Sequence, residues 1–500
     1  MTRRLLVASA ALVAAVGIVQ LAANVEDEGK VLAGRYCASC HQMPLPENLD
    51  RSTWLTKVFP MMREYLGLDP KADRELLPHD LKSMYPSVPS MTEDEWFKIA
   101  NWYVDHAPDT LPPAPEPVIE GLTPLFTPLR ITSDDVNPMT IMVRFDTASR
   151  RIITADALLG TMSIYSATGR LQKTIDVGGP VSSVVVRGAT WYATDMGKLL
   201  PHDSAAGGVV SITWNGDQYT KKRIIDSLRR PTHISVDDLN GDGRDDLLVC
   251  EYGNLLGRLG WFEQTARRWK YHELVPLPGA IRTEIRDING DGRKDIIALM
   301  AQAREGLFVH INRGKGRFEI QELLTFPPSY GSSSFSFADI NADGRYELLV
   351  TTGDNGDYLM PPYKPYHGVY VCTLDKSGRV TQKELRRLDG AYGAMLRDFD
   401  LDGTQDLLAY SYFPRLERGS HDFIRLETSA FTPRMKTWTL PMADQGRWLP
   451  SDLADIDADG DFDVILGNVS IGPGRITDEQ SAGWREGRLR ALILVNTTRN

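Results

Sequence analysis

Five copies of one short acidic pattern constrain the fold of this chain more than any other feature. They read DLNGDGRDD from Asp238, DINGDGRKD from Asp287, DINADGRYE from Asp339, DFDLDGTQD from Asp398 and DIDADGDFD from Asp455. Each has the form Asp-x-Asn/Asp-x-Asp-Gly-x-x-Asp/Glu and is followed by an apolar, strand-like run: LLVC, IIAL, LLVT, LLAY or VILG. Oxygens at positions one, three, five and nine, with a backbone carbonyl at seven, can wrap one hard cation, and glycine at six permits the sharp turn. The candidate ligands are Asp238, Asn240, Asp242 and Asp246 in the first copy, and Asp287, Asn289, Asp291 and Asp295 in the second. Asp339, Asn341, Asp343 and Glu347 follow in the third, Asp398, Asp400, Asp402 and Asp406 in the fourth, and Asp455, Asp457, Asp459 and Asp463 in the fifth. A helical EF-hand would carry Glu at position twelve. Val249, Ala298, Val350, Ala409 and Leu466 stand there instead, so the pattern is expected to form calcium loops between β-strands, with up to five ions.

The period sets the architecture. Asp238 to Asp455 is 217 residues over four intervals, about 54 per repeat, which suits a four-stranded propeller blade with long connections. Residues 122–500 hold about seven such units. Two must precede Asp238, and the stretches MTIMVRFDTASRRIITADALLGTMSIYSATG and VSSVVVRGATWYATDM read as strands separated by turns, without the acidic loop. The expected fold is an all-β propeller of about seven blades behind a smaller helical domain.

Charge fits metal loading. The formal net charge is -10, and five calcium ions would carry an equal and opposite charge, so much of the acidic excess reads as ligand charge. No basic stripe interleaved with aromatic residues is present, which argues against nucleic acid as a partner.

The helical domain is expected over residues 25–110. Its centre is RYCASCHQMP, in which Cys37, Cys40 and His41 have the Cys-x-x-Cys-His form of a c-type haem attachment site. Two thioethers would hold one haem c, with His41 on one face of the iron. Met43 is too close to His41 to reach the opposite face, leaving Met61, Met62, Met84, Met91, His79 or an open position. A closing helix is expected in TEDEWFKIANWYVDHAP, where Thr92 and Glu95 have capping-box spacing. A short helix before the motif and an aromatic helix at the end resemble a small class I cytochrome c. Residues 111–121 are proline-rich and read as a stiff linker.

Residues 1–23 read as an export signal, with Arg3 and Arg4 before the apolar run LLVASAALVAAVGIV; uncleaved, it would serve as a membrane anchor. The protein is therefore expected in the periplasm or at the cell surface. Cys250 and Cys372, both in apolar runs, read as buried thiols, with a bridge between them as the alternative.

The acidic loops resemble FG-GAP/VCBS repeats. The longer strings GSSSFSFADINADGRYELLVTTGDNGDY and DIDADGDFDVILG are similar to bacterial VCBS-repeat proteins, some with an N-terminal haem c domain carrying a string like CASCHQMPLPENL…W…M…YLG. That resemblance implies a calcium-stabilised propeller and matches the Met-x-x-Tyr-Leu-Gly methionine to Met62 as the second axial ligand. It supplies no reaction.

Equivalent positions five residues before each loop are His233, Arg282, Ser334, Gly393 and Pro450, with Tyr392 and Trp448 close by: a polar ring where the innermost strands would meet. GDNGDYLMPPYKPYHG adds Asp354, Asp357, Tyr358, Lys364, Tyr366 and His367 in one inserted loop. His233, Arg282 and His367 are the catalytic candidates, if the propeller is catalytic. The expected function is an exported haem c electron-transfer protein whose propeller docks a redox protein partner, or recognises a glycan or small molecule. The alternative is a propeller dehydrogenase for sugars or alcohols, with a quinone cofactor, delivering electrons to the haem.

Overall fold

The computed structural model describes residues 28–71, 73–134, 137–302, 304–340, 346–375 and 379–499. The export signal expected at residues 1–23 lies outside the described residues. The chain divides into two compact units, one reaching to Pro112 and including Pro327–Ser329, the other made of Pro113–Phe326 and Tyr330–Asn500. Among the described residues no helix is long and apolar enough to cross a membrane.

Seven four-stranded antiparallel sheets make up the larger unit, so the expected propeller has seven blades. In chain order the blades begin with the strands Thr140–Asp146, Val184–Arg187, Pro231–Asp237, Ala280–Arg286, Ser332–Ala338, Ala391–Arg397 and Trp448–Ala454. These first strands neighbour one another from blade to blade and form the innermost layer. Second strands are built to be buried on both faces: Asp246–Glu251, Asp295–Met300, Glu347–Thr352, Asp406–Ser411 and Asp463–Asn468 are buried at every residue. Outermost strands such as Phe318–Thr325 are largely exposed and polar. Apolar side chains of adjacent blades interlock, as Ile297 and Leu299 do with Leu348 and Val350.

The last blade borrows its outer strand from the start of the unit. Phe126–Thr132 pairs with Leu489–Asn496, so the two ends of the chain close the ring. This closure was not foreseen in the sequence. The proline-rich segment is also tied down from Pro113 onward. Glu120 N donates to Thr437 O (2.9 Å) and Thr439 N donates to Gly121 O (3.0 Å), which lays the segment along the edge of the sixth blade and covers an exposed strand edge. Cys250 and Cys372 are free, buried thiols in different blades.

Short helices make up the smaller unit. Residues 28–36 are helical and lead into a 3-10 turn at Cys37–Ser39. Arg51–Thr53, a π turn at Trp54–Val58 and Phe59–Tyr65 run on without a break. The closing helix is Glu93–His106, and its capping box forms as expected: Thr92 Oγ1 accepts from Glu95 N (3.2 Å) while Glu95 Oε2 accepts from Thr92 N (2.8 Å). Trp54, Phe59, Met91, Trp96, Ile99, Trp102 and Tyr103 form its core.

Candidate functional site

Each described acidic loop joins the first strand of a blade to the second. In the first two blades the same connection is short, spanning Asp146 to Arg151 and Arg187 to Thr190, which is why they carry no acidic loop. In the other five, position nine is the first residue of the fully buried second strand.

The loops repeat one hydrogen-bond scheme. The position-one carboxylate gathers amides: Asp238 Oδ1 accepts from Gly241 N (2.7 Å) and Oδ2 from Gly243 N (2.8 Å), and Asp287 accepts from Gly290 N (2.8 Å) and Gly292 N (2.8 Å). Position three accepts from position five, and position five from position seven, as in Asn240 with Asp242 N (2.8 Å) and Asp242 with Arg244 N (2.9 Å). Position-six glycines hold left-handed backbone, with φ of 82°, 81°, 87° and 92° at Gly243, Gly292, Gly403 and Gly460. Position four is also left-handed. Glycine occupies it in the first two loops, but Leu401 (57°) and Ala458 (72°) take it in the last two, at a strain of about 1–2 kcal/mol each.

Position nine does two structural jobs. One oxygen accepts from the position-two amide and the other from the amide where the third strand ends. Asp246 bonds Leu239 N (3.1 Å) and Gln264 N (2.9 Å), Asp295 bonds Ile288 N (3.1 Å) and Asn312 N (2.8 Å), and Asp463 bonds Ile456 N (2.6 Å) and Asn496 N (2.8 Å). Asp406 repeats this with Phe399 N and Ser429 N, and Glu347 bonds Ile340 N. Burial, helped by neighbouring carboxylates, pushes Asp246, Asp406 and Asp463 up to about 6.

A cation fits this arrangement in part of the set. Asp398, Asp400 and Asp406 bring oxygens within 4.8 Å of one another, as do Asp455, Asp457 and Asp463. Position five stands outside both groups, its carboxylate engaged elsewhere: Asp402 accepts from Thr404 N in its own loop and from Ser429 Oγ at the end of the third strand. In the first two loops the amides Asn240 and Asn289 replace one carboxylate. In the third, Asp339 and Glu347 are described, while Asn341 and Asp343 lie outside the described residues. The position-twelve residues Val249, Ala298, Val350, Ala409 and Leu466 are all buried in strands and cannot reach the loop.

In the smaller unit the Cys-x-x-Cys-His segment is held by the core around it. Tyr103 donates to Pro44 O and Trp54 Nε1 to Pro46 O, both at 2.8 Å, which fixes the chain just after the motif. Cys37 is half-buried against the core cluster and Cys40 is exposed. His41 Nδ1 lies 2.9 Å from Gln42 O. A carbonyl can only accept, so Nδ1 carries the proton and Nε2 keeps a free lone pair, the form that ligates iron. Of the methionine candidates, Met62 and Met91 pack in the cluster that includes Cys37, whereas Met61 and Met84 are 40% and 37% exposed. His79 is exposed.

The polar ring is partly assembled. His233, Arg282, Ser334 and Gly393 each follow a register shift in the innermost strand of their blade. His233 Nδ1 accepts from Thr283 N (3.3 Å) and lies 3.2 Å from Thr283 Oγ1 on the next blade. Burial, with the Arg282 and Arg144 charges, pushes His233 down to about 3. Two members were missed in the sequence: Arg144 and Asp452, an ion pair at 3.7 Å between the first and last blades. Arg144 belongs to a blade without an acidic loop, so counting back from loops could not find it; a charge inside TIMVRFD was the available signal. Trp448 is fully buried and donates to Ala443 O, so it serves the core. His367 is set apart from the ring. It is 1% exposed, and burial, followed by the charges of its neighbours Lys364 and Arg387, holds it well below its ordinary value.

Residues 287–350 match the FG-GAP-like repeat family, a stretch that covers the second and third acidic loops. No curated protein matches the chain. Among solved structures, the extracellular domain of a protein described as a hybrid two component system from B. thetaiotaomicron is 13% identical over 74% of this chain, with a TM-score of 0.44. The match spans only 39% of that longer chain. A protein from Lactobacillus plantarum is 12% identical over 66% of this chain and 89% of its own, with a TM-score of 0.40. Saccharomyces cerevisiae Sqt1 is 9% identical over 74% and 99%, also with a TM-score of 0.40. None of these likenesses bears on activity.

Proposed function

We propose that this protein is an exported electron carrier. Its smaller unit holds one covalent haem c through Cys37, Cys40 and His41, and its seven-bladed propeller is a calcium-stiffened module that docks a redox protein partner. The observation that carries the reading is His41, whose Nδ1–H is committed to Gln42 O, which leaves the Nε2 lone pair free for a metal. Bound there, the haem supplies reversible one-electron chemistry at iron. The chain's own residues fix the His41 tautomer, hold the segment through Tyr103 and Trp54, and offer apolar cover around Cys37. Met62 is the preferred second ligand on its string and its place in the Cys37 cluster, with Met91 the buried competitor.

Calcium in this reading is held by the position-one, -three and -nine side chains, with the position-seven carbonyl and the position-five carboxylate completing the set once position five gives up its present hydrogen bonds. Its support is the convergence of Asp398, Asp400 and Asp406, and of Asp455, Asp457 and Asp463, which are otherwise mutually repelling carboxylates. Thioether attachment requires thiols delivered outside the reducing cytoplasm, which agrees with the export signal expected from the sequence of residues 1–23.

The test is spectroscopic. Protein produced in a host with cytochrome c maturation should give a c-type pyridine haemochrome at one haem per chain, and its visible spectrum should change reversibly on reduction and reoxidation. His41→Ala should lose the low-spin spectrum while keeping the thioethers. A colourless protein from a maturation-competent host overturns the reading.

A further inference from the structure

The central channel holds a set of hydrogen-bond donors that neither haem binding nor calcium binding uses. Arg282 is exposed within it, and among the described residues its guanidinium makes no hydrogen bond or ion pair. His233, on the neighbouring innermost strand, accepts a backbone N–H at Nδ1, so its Nε2 carries the proton and is a donor. Arg144 reaches the same space from the first blade, 3.7 Å from Asp452 Oδ1. Asp452 is already engaged, since its Oδ2 accepts from Phe145 N at 2.6 Å. The wall between is neutral: Tyr410 donates to Ser451 Oγ (2.9 Å), and Ser235 Oγ lies 2.9 Å from Thr283 Oγ1. Gly393 keeps this wall open, because a Cβ there would stand 2.1 Å from the Tyr410 hydroxyl.

The inventory is one-sided. Two guanidinium groups face one carboxylate, and His233 stays neutral because burial and the two arginines hold it low. The surplus is one positive charge and several unspent N–H donors where the innermost strands meet, able to make charge-assisted hydrogen bonds to an anion. We infer that Arg282, His233 Nε2–H and Arg144 form a binding site in the propeller channel for one small oxyanion, the carboxylate of an organic acid or an inorganic oxyanion. Arg282 makes the main contact, and Asp452 positions Arg144. The site draws on the first, third, fourth and last blades, so an occupant would also tie the ring together.

The test is isothermal titration of the full-length, calcium-loaded holoprotein with sodium succinate and, separately, with sodium sulfate at matched ionic strength. One saturable site for either anion is expected, with Arg282→Met weakening it at least about tenfold and Arg282→Lys, which keeps the charge but not the planar fork, weakening it less. Binding of succinate but not sulfate would identify an organic carboxylate as the ligand; equal binding of both would identify the oxyanion alone. Arg282 has no hydrogen-bonded partner to lose, so the unfolding midpoint of Arg282→Met should match that of the parent. Saturation by neither anion, equal affinity in Arg282→Met, or tighter binding of the dication cadaverine would overturn the inference.

Discussion

Gly29 and Trp102 meet where two helices cross, so closely that a Cβ on Gly29 would stand 2.7 Å from the Trp102 Cβ and 2.5 Å from Lys98 O. Neither neighbour can swing away, since one is backbone and the other adjoins it. The crossing brings residues 28–36, which lead into Cys37, against the closing helix. Gly29→Ala should therefore destabilise the smaller unit by about 1–3 kcal/mol through overpacking. Thermal unfolding followed by far-ultraviolet circular dichroism checks this, and a variant as stable as the parent would show that the crossing has room to spare.

The position-nine carboxylates are structural with or without a cation. Asp463→Ala leaves the buried amides of Ile456 and Asn496 without their acceptor and should cost about 2 kcal/mol or more in urea unfolding, with calcium present or chelated. Asp457 is exposed and, among the described residues, accepts only a 3.3 Å bond from Asp459 N. Asp457→Ala should weaken the calcium-bound protein and leave the chelated one nearly unchanged. Chelation itself should lower the midpoint of the parent.

Two loops carry strain that glycine would relieve. Ala458→Gly, at φ 72°, should stabilise the calcium-free propeller by up to about 1 kcal/mol, and Leu401→Gly should act in the same direction. In the first loop the reverse change, Gly241→Ala at φ 82°, meets open space and should cost only the backbone strain. Calcium-free unfolding midpoints of the three variants distinguish these signs.

His310 sets part of the acid sensitivity. It is 2% exposed, its Nε2 has no hydrogen-bond partner among the described residues, and burial pushes it from 6.5 down to about 4. The unfolded chain takes up this proton below 6.5 and the folded one only below about 4. Stability is thus unaffected above 6.5 and falls as pH drops through that window, by about 3 kcal/mol in the limit. Comparing urea unfolding of the parent and His310→Phe at pH 7 and pH 4.5 isolates the effect: the gap between them should shift in favour of the variant at the lower pH.

Much of the propeller could be read from the sequence because the acidic loop repeats a fixed pattern at a roughly even spacing. The four described position-six glycines take left-handed backbone, the position-twelve residues are buried strand, and the number of blades follows from the spacing. Features with no repeated side-chain signal were invisible. Phe126–Thr132 contains Pro128 and gives no sign that its partner is Leu489–Asn496, because ring closure pairs residues more than three hundred positions apart. Leu401 and Ala458 hide a left-handed backbone behind ordinary side chains. The position-nine carboxylates read as ligands, and their second duty toward the third strand depends on tertiary contacts. In the channel, aligning blades by their loops found His233 and Arg282 but not Arg144 or Asp452. His367 was drawn into the same site by its loop, whereas its charged neighbours are Lys364 and Arg387.

Covalent haem at Cys37 and Cys40 is the central claim, and mass spectrometry of the digested protein tests it most directly. Full-length chain made in a maturation-competent host should yield the peptide containing Cys37–His41 with the mass of one haem added, and Cys37→Ala with Cys40→Ala should yield it without. Recovery of that peptide from the parent protein with both thiols free, or joined only to each other, would contradict the claim.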